Sequence, residues 1–301
     1  MLKIGIIGDL MVDIYSHYDC TRVSPEAPVP VLTNSNTKKC LGGAANVAKN
    51  LSEYDDFDLN IFGTVGNDKE GRWIIKELKK IGCNTKIRES KLIPTIQKHR
   101  ILAGQQQICR LDSEKKVILN DISIEEFKFD AVIISDYGKS TFGCPSQIIA
   151  KSKFYNIPTF VDPKGNNFDI YRGAYCLKPN KKEFENIMGK CENLNCFKKK
   201  GAELIKRLKL ENLVITLGKE GIFYLNKKGE SIFIKGQRIS VFNVTGAGDT
   251  VLTSIVASRL LGKSWENSLV FAKYCAEYVI SLSETGFLSK KLINKIMEKI
   301  K

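Results

Sequence analysis

The sequence predicts an α/β fold, with a mostly parallel central sheet, helices on both of its faces, and a small β appendage. Three observations predict it. Short apolar runs that end in polar or glycine-containing turns alternate with segments of helical periodicity, the pattern of strand–helix–strand units. Two stretches of β character, one punctuated by prolines, interrupt that alternation. The 301 residues contain no internal repeat, low-complexity tract or linker, and at 43% hydrophobic and 27% charged the chain can bury a substantial core. One domain with an appendage, over residues 1–301, is the expected organisation.

The first run, Ile4-Gly5-Ile6-Ile7, ends at Gly8-Asp9; it is too short for a signal peptide or a membrane span and reads as a buried strand. Prolines 25, 28 and 30 exclude a helix from residues 13–40 and favour edge strands, so this stretch reads as an excursion from the sheet. Leu41-Gly42-Gly43-Ala44-Ala45-Asn46-Val47-Ala48 opens a helix whose first turn is made of small residues, which lets a ligand lie directly on the backbone. Residues 61–66 form a strand, and Asn67-Asp68 leads a helix with Trp73, Ile74, Leu78 and Ile81 at core spacing, closed by Gly82. Residues 86–112 turn β again, a second excursion. The strands at 131–134 and 159–161 end in Ser135-Asp136-Tyr137-Gly138-Lys139 and Asp162-Pro163-Lys164-Gly165, polar residues at the carboxyl ends where open α/β sheets bind ligands. A short run at 176–177 leads through Lys178-Pro179-Asn180 into a helix with Glu183 and Phe184. A helix around 202–208, a strand at 212–217, a hairpin over 222–234 and three helical stretches complete the chain.

The nine cysteines are scattered and lack paired zinc spacing, which implies a reducing, cytoplasmic setting. With His17 and His99 as the only histidines, histidine triads and multi-histidine metal sites are poorly supplied. The net charge of +14 suits anionic substrates. The lysines are nevertheless spread along the chain, and the densest runs, 198–200 and 290–301, fall on helical patterns as solvated faces. No nucleic-acid motif and no membrane span is expected.

The chemistry concentrates at Thr245-Gly246-Ala247-Gly248-Asp249-Thr250, ahead of an apolar-periodic run through Leu261. Two glycines around one alanine permit close approach, and the helix that follows aims unpaired N–H groups and its positive dipole end at that spot. Asp249 places a carboxylate beside the anion that the turn would hold. That pairing suits a base that deprotonates a hydroxyl while the N–H groups hold a transferring phosphoryl group. A glycine-rich turn with an ordinary helix-start aspartate is the other reading. The commoner phosphate loops are absent: Gly138-Lys139-Ser140 and Gly262-Lys263-Ser264 end like P-loops, but Ile133 and Ala257 replace the leading glycine. Neither a dinucleotide fingerprint nor a protein-kinase motif set is present.

In order and spacing these motifs resemble the PfkB or ribokinase-like family of small-molecule kinases, from about Gly8 to Gly286. Gly42-Gly43-Ala44-Ala45-Asn46 is similar to the family's sugar-platform signature and residues 243–250 to its second signature. Asn180-Lys181-Lys182-Glu183 matches N-x-x-E, and Thr216-Leu217-Gly218 matches the T-x-G that lines the nucleotide. Within the family the similarity narrows to the heptose 7-phosphate kinases. It is carried there by Ser24-Pro25-Glu26-Ala27-Pro28-Val29-Pro30-Val31, Gln106-Gln107, Arg110-Leu111-Asp112, Ser135-Asp136-Tyr137, Asp162-Pro163-Lys164-Gly165 and Tyr171-Arg172-Gly173-Ala174.

The resemblance implies a ribokinase-like three-layer fold with residues 13–40 and 86–112 as a lid. It implies ATP-dependent transfer of a phosphoryl group to the anomeric O1 of D-glycero-D-manno-heptose 7-phosphate, a step towards ADP-heptose, a lipopolysaccharide precursor. Asp249 would be the base, and the N–H groups of Gly246, Ala247 and Gly248 would stabilise the transferring group. Asp13 and Asn46 would bind sugar hydroxyls over Gly42 and Gly43. Lys164 and Arg110 would face the 7-phosphate, with Gln107 and Lys139 as further candidates. Asn180, Lys181, Lys182, Glu183, Thr216, Gly218 and Thr245 would line ATP, with Asn180 and Glu183 holding Mg²⁺ through water. Asn243 stands where the family has Asp, which bears on a monovalent-cation site. The chain ends at Lys301, short of the nucleotidyltransferase domain of fused enzymes, so adenylyl transfer is expected of another protein. The lid's strand edges suggest a homodimer. A ribokinase, fructokinase or phosphofructokinase-like activity is the alternative, and a non-catalytic sugar-phosphate sensor would need a damaged base or anion hole.

Overall fold

The computed structural model describes residues 1–104, 106–115, 124, 127–139, 141–237, 245–282 and 288–300. β1 (Leu2–Gly8) is followed by two long strands, β2 (Leu10–Val23) and β3 (Pro30–Gly43), then α1 (Ala44–Leu51), β4 (Phe57–Gly66), α2 (Lys69–Lys80), β5 (Asn84–Ser90), β6 (Ile96–Ala103) and β7 (Gln106–Ser113). The second half runs β8 (Ala131–Ser135), α3 (Pro145–Phe154), β9 (Thr159–Asp162), β10 (Cys176–Leu177), α4 (Lys181–Met188), α5 (Leu194–Leu208), β11 (Asn212–Thr216), β12 (Gly221–Asn226), β13 (Ser231–Lys235), α6 (Ala247–Leu260), α7 (Trp265–Ile280) and α8 (Lys290–Lys299).

Among the described residues the large sheet has the order β13-β12-β11-β10-β9-β8-β1-β4-β5. Its strands are parallel from β5 to β11, and β12 and β13 are antiparallel. Strand alternation sorts the apolar side chains into two layers. Ile4, Ile6, Ile133 and Val214 join a core with α1, α2, α6, α7 and α8, whereas Ile7, Val132, Ile134, Leu213 and Ile215 join one with α3, α4 and α5. Burial on both faces explains why these strands read as unbroken apolar runs. α6 is buried along its length from Asp249 to Ser258, which its small residues Thr253, Ser254 and Ala257 permit.

A second sheet, β3-β2-β6-β7, leaves the first directly after β1. Here the prolines act as expected, since Pro30 opens β3 at a sheet edge where its missing N–H leaves no gap in a ladder. The second excursion starts later than its β composition suggests. Residues 86–90 belong to β5, which lies parallel to β4 at the edge of the large sheet, with Ile87 packed on the core; only β6 and β7 join the second sheet. The large sheet reverses at β1, flanked by β8 and β4. Ligands bind outside the carboxyl ends of strands at such a switch point.

Candidate active site

Gly246 caps α6 in the left-handed region at φ 81°, and Asp249 sits in the first helical turn, buried. Gly246, Ala247, Gly248 and Thr245 line a cleft of about 830 Å³. Asn46 Nδ2 donates to Asp249 Oδ2 at 2.8 Å, and the Tyr137 hydroxyl donates to Oδ1 at 2.9 Å. Burial, reinforced by the charge of Asp162, pushes the Asp249 carboxyl from 3.8 up to about 7, against the pull of those two donors and of Lys178. Tyr137, whose hydroxyl is held well above its ordinary value by burial and by Asp249, stays protonated and donates to the carboxylate. The carboxyl is thereby oriented and titrates near neutrality, as a general base requires.

Beside it, α1 begins at Gly43, which has φ 59° and where a Cβ would stand 2.4 Å from the Asp9 carbonyl oxygen. A Cβ on Gly42 would stand 2.5 Å from Asp13 Oδ2. These two glycines are thus required by close approach of the chain to itself, on the surface where Asp13 projects. Asp13 is buried and accepts from Arg100 Nη1 at 2.5 Å. Burial raises the Asp13 carboxyl pKa, with Arg100 opposing it. Arg100 lies over the Tyr15 ring, 5.0 Å from its centroid. Across the second sheet Arg110 is in register with Arg100 and is held in a fork by Asp112, at 2.7 and 2.9 Å. Lys98 pairs with Asp112 and Glu114, and Lys139 pairs with Glu114 at 2.6 Å.

The rest of the cleft is built by the loops after β8, β9, β10 and β11. Asn180 caps α4, accepting from the Glu183 N–H at 2.9 Å while Glu183 Oε2 accepts from the Asn180 N–H at 3.0 Å. The other Glu183 oxygen accepts from Lys164 Nζ at 2.7 Å. The oxygens of this pair are therefore engaged, and among the described residues no group of three or more metal-ligating side chains occurs. Such a donor set suits a hydrated cation carried by phosphates rather than a protein cage. Lys178, almost wholly buried, pairs with Asp162 at 3.0 Å; a Cβ on Gly248 would point at this pair, 3.6 Å from Lys178 Nζ. Thr216 ends β11, Gly218 has φ 60°, and both line the cleft with Lys181 and Lys182.

The structure thus brings together Asp249 and Asn46, and along the cleft Thr245 to Gly248, Lys164, Asn180, Lys181, Lys182, Glu183, Thr216 and Gly218. Two of these residues have partners that the sequence did not indicate. Lys164 pairs with Glu183, and its stem lies against Gly138, next to Lys139. Asn46 is turned onto Asp249, and its carbonyl oxygens accept from Asn50 Nδ2 at 2.9 and 3.2 Å. Gln107 is exposed on β7, opposite Leu102. Asn243 lies outside the described residues. Sequence reasoning gave no role to Tyr137, Arg100, Lys178 or Asp162, although it placed Tyr137 and Asp162 at strand ends where ligands bind. Three of them sit at the carboxyl ends of strands, which was a usable signal, whereas Arg100 lies inside a strand and carries none.

A switch-point cleft with a buried near-neutral carboxyl beneath a glycine turn suits phosphoryl transfer to a hydroxyl, the chemistry of a small-molecule kinase. The chain belongs to the pfkB family of carbohydrate kinases, whose sequence profile matches residues 1–292. It is 35% identical over 300 residues to the bifunctional protein HldE of Marinomonas sp. (97% of this chain, 63% of that one) and 36% identical over 296 residues to that of Haemophilus influenzae strain PittEE (95% and 62%). The chain therefore spans a little under two thirds of the length of these relatives. Among solved structures it superimposes on Arabidopsis thaliana ribokinase complexed with ribose and ATP, with a TM-score of 0.80, 18% identity and 99% of both chains covered. Escherichia coli phosphofructokinase-2 gives a TM-score of 0.78, also at 18% identity and 99% coverage of both chains. These likenesses identify the ribokinase-like fold.

Proposed function

We propose that the chain transfers the γ-phosphoryl group of ATP to the anomeric O1 of D-glycero-D-manno-heptose 7-phosphate. The observation that carries the chemistry is Asp249, a buried carboxyl with a pKa of about 7, aimed by Asn46 and Tyr137 under the Gly246–Gly248 turn. The substrate follows from the heptose-kinase motifs together with 35–36% identity to the HldE proteins.

In this reading the sugar lies over Gly42 and Gly43, with Asp13 accepting from its hydroxyls. Asp249 Oδ takes the O1 proton as O1 attacks, and the N–H groups of Gly246, Ala247 and Gly248 hold the charge of the transferring group. Lys178 adds a cation close to that turn. Asn180 and Glu183 would hold Mg²⁺ through water, and the ion would supply positive charge to the ATP phosphates. Lys164, Lys181, Lys182, Thr216, Gly218 and Thr245 form the nucleotide side. The 7-phosphate takes the place of Asp112 and Glu114 on Lys98, Arg110 and Lys139, with Gln107 at the rim. The second sheet closes over the sugar and excludes water as a competing acceptor. Its exposed apolar residues Val23, Ile108 and Leu111 suit a homodimer contact, and the reaction draws on cytoplasmic ATP.

The test is an ATP-consumption assay on both anomers of heptose 7-phosphate beside ribose, fructose and fructose 6-phosphate. A kcat/KM for heptose 7-phosphate at least about a hundredfold above the others is expected, the margin that paired polar recognition supports. Preference for ribose or a fructose would discard the heptose assignment.

A further inference from the structure

Two thiols outside the cleft stand closer together than any catalytic need explains. Cys191 lies in the connection between α4 and α5, and Cys196 in the first turn of α5, with their Sγ atoms 3.0 Å apart and both thiols free. Two unbonded sulfurs in ordinary contact stand at about 3.6 Å, and a disulfide needs about 2.05 Å, so roughly 1 Å of side-chain movement separates the pair from a bond. Their surroundings hold them there. The Cys191 N–H donates to Glu185 Oε1 at 3.0 Å, the Cys196 N–H to the Asn193 cap at 3.0 Å, and both Sγ atoms point at carbonyl oxygens, those of Gly189 and Lys190. Lys200 Nζ donates to the same Lys190 oxygen at 2.9 Å, tying the turn to α5.

We propose that Cys191 and Cys196 form a peroxide-sensitive dithiol, a covalent modification site that closes reversibly to a disulfide in the folded chain. The two cysteines have different parts. Cys191 is buried, and burial with the neighbouring Cys196 thiol pushes it up to about 12, so it keeps its proton at neutral pH. Cys196 is partly exposed and is the sulfur that a peroxide meets first. Its sulfur attacks one peroxide oxygen, the O–O bond breaks, and the departing hydroxide takes up the Cys196 thiol proton and leaves as water, giving a sulfenic acid. Cys191 sulfur then attacks Cys196 sulfur; the S–O bond breaks, and the hydroxyl leaves as a second water with the Cys191 proton. Two thiols are oxidised and one peroxide is reduced to two waters, and a dithiol reductant reverses the bond.

The experiment treats the full chain with hydrogen peroxide and maps its cysteines by mass spectrometry after alkylation. The expected result is a loss of two hydrogens located to a peptide joining Cys191 and Cys196, formed at a rate unchanged by tenfold dilution and reversed by dithiothreitol. Cys191→Ser, which keeps Cys196 and its exposure, should instead accumulate sulfenic and sulfinic acid at Cys196. Two outcomes overturn the proposal: both thiols remain alkylatable while exposed Cys20 and Cys109 oxidise, or Cys196 overoxidises in the native chain as readily as in the variant.

Discussion

Asp249 shows how one residue can be tuned by its neighbours and what that tuning costs. Its folded value of about 7 against 3.8 means that the folded chain holds a proton that the unfolded chain has lost between about pH 4 and 7. Stability therefore falls as pH rises through that window. Asp249→Asn can keep both contacts, accepting from Asn46 and donating to the Tyr137 oxygen, and it removes the buried charge. The variant should lose at least about a hundredfold in turnover, yet melt about 2–4 °C higher at pH 8, with the difference shrinking towards pH 4. Calorimetry and a turnover assay on the same samples check both. The proposed base also predicts a kcat/KM that drops below about pH 7. Tyr137→Phe, by removing a donor that stabilises the carboxylate, should move that acid limb upwards by on the order of one unit. An unmoved limb would detach Tyr137 from the base. Asp249 was legible in the sequence because a glycine turn and a carboxylate in the first turn have few uses together. The partners that aim it were not legible, since a tyrosine 112 residues away in the chain has no local signature.

At the level of elements, two short segments carry opposite ends of the proposed reaction. The turn from β3 into α1 admits no side chain at Gly42, because a Cβ would meet Asp13 at 2.5 Å. Gly42→Ala should displace Asp13 and raise the sugar KM at least about tenfold, an effect on the scale of a lost charged hydrogen bond, with little change in the ATP KM. The start of α4 predicts the converse. Asn180→Ala removes one half of the capping box at a cost of about 1 kcal/mol, and it frees Glu183 to shift with Lys164. The ATP KM should then rise while the sugar KM holds; initial-rate kinetics with each substrate varied in turn separate the two. Both segments were readable beforehand from their glycine pair and N-x-x-E spacing. The Lys164–Glu183 pair was not, because it depends on how the loop after β9 meets α4, which no local pattern in either segment specifies.

The whole molecule divides its labour between the two sheets. The large sheet was predictable from its alternation, as was the departure of the second sheet after β1, but the place where β5 ends and the second sheet resumes was not, since both stretches have the same β composition. In the proposed dimer the second sheet supplies the contact. Leu111→Glu, at an exposed β7 position, should shift the chain to a monomer in size-exclusion chromatography and raise the sugar KM. A dimer that survives the change would put the interface elsewhere. The hydrogen bond between Asn46 and Asp249 closes a loop of 203 residues, and the Arg100–Asp13 pair joins positions 87 apart. Contacts of such separation are among the last to form, because the chain must lose loop entropy before they can be made. Recovery of kinase activity after dilution from denaturant should therefore follow the slowest refolding phase, lagging behind the return of helical signal. A nascent chain released before α6 would carry the proposed sugar platform without the carboxyl proposed to activate the sugar.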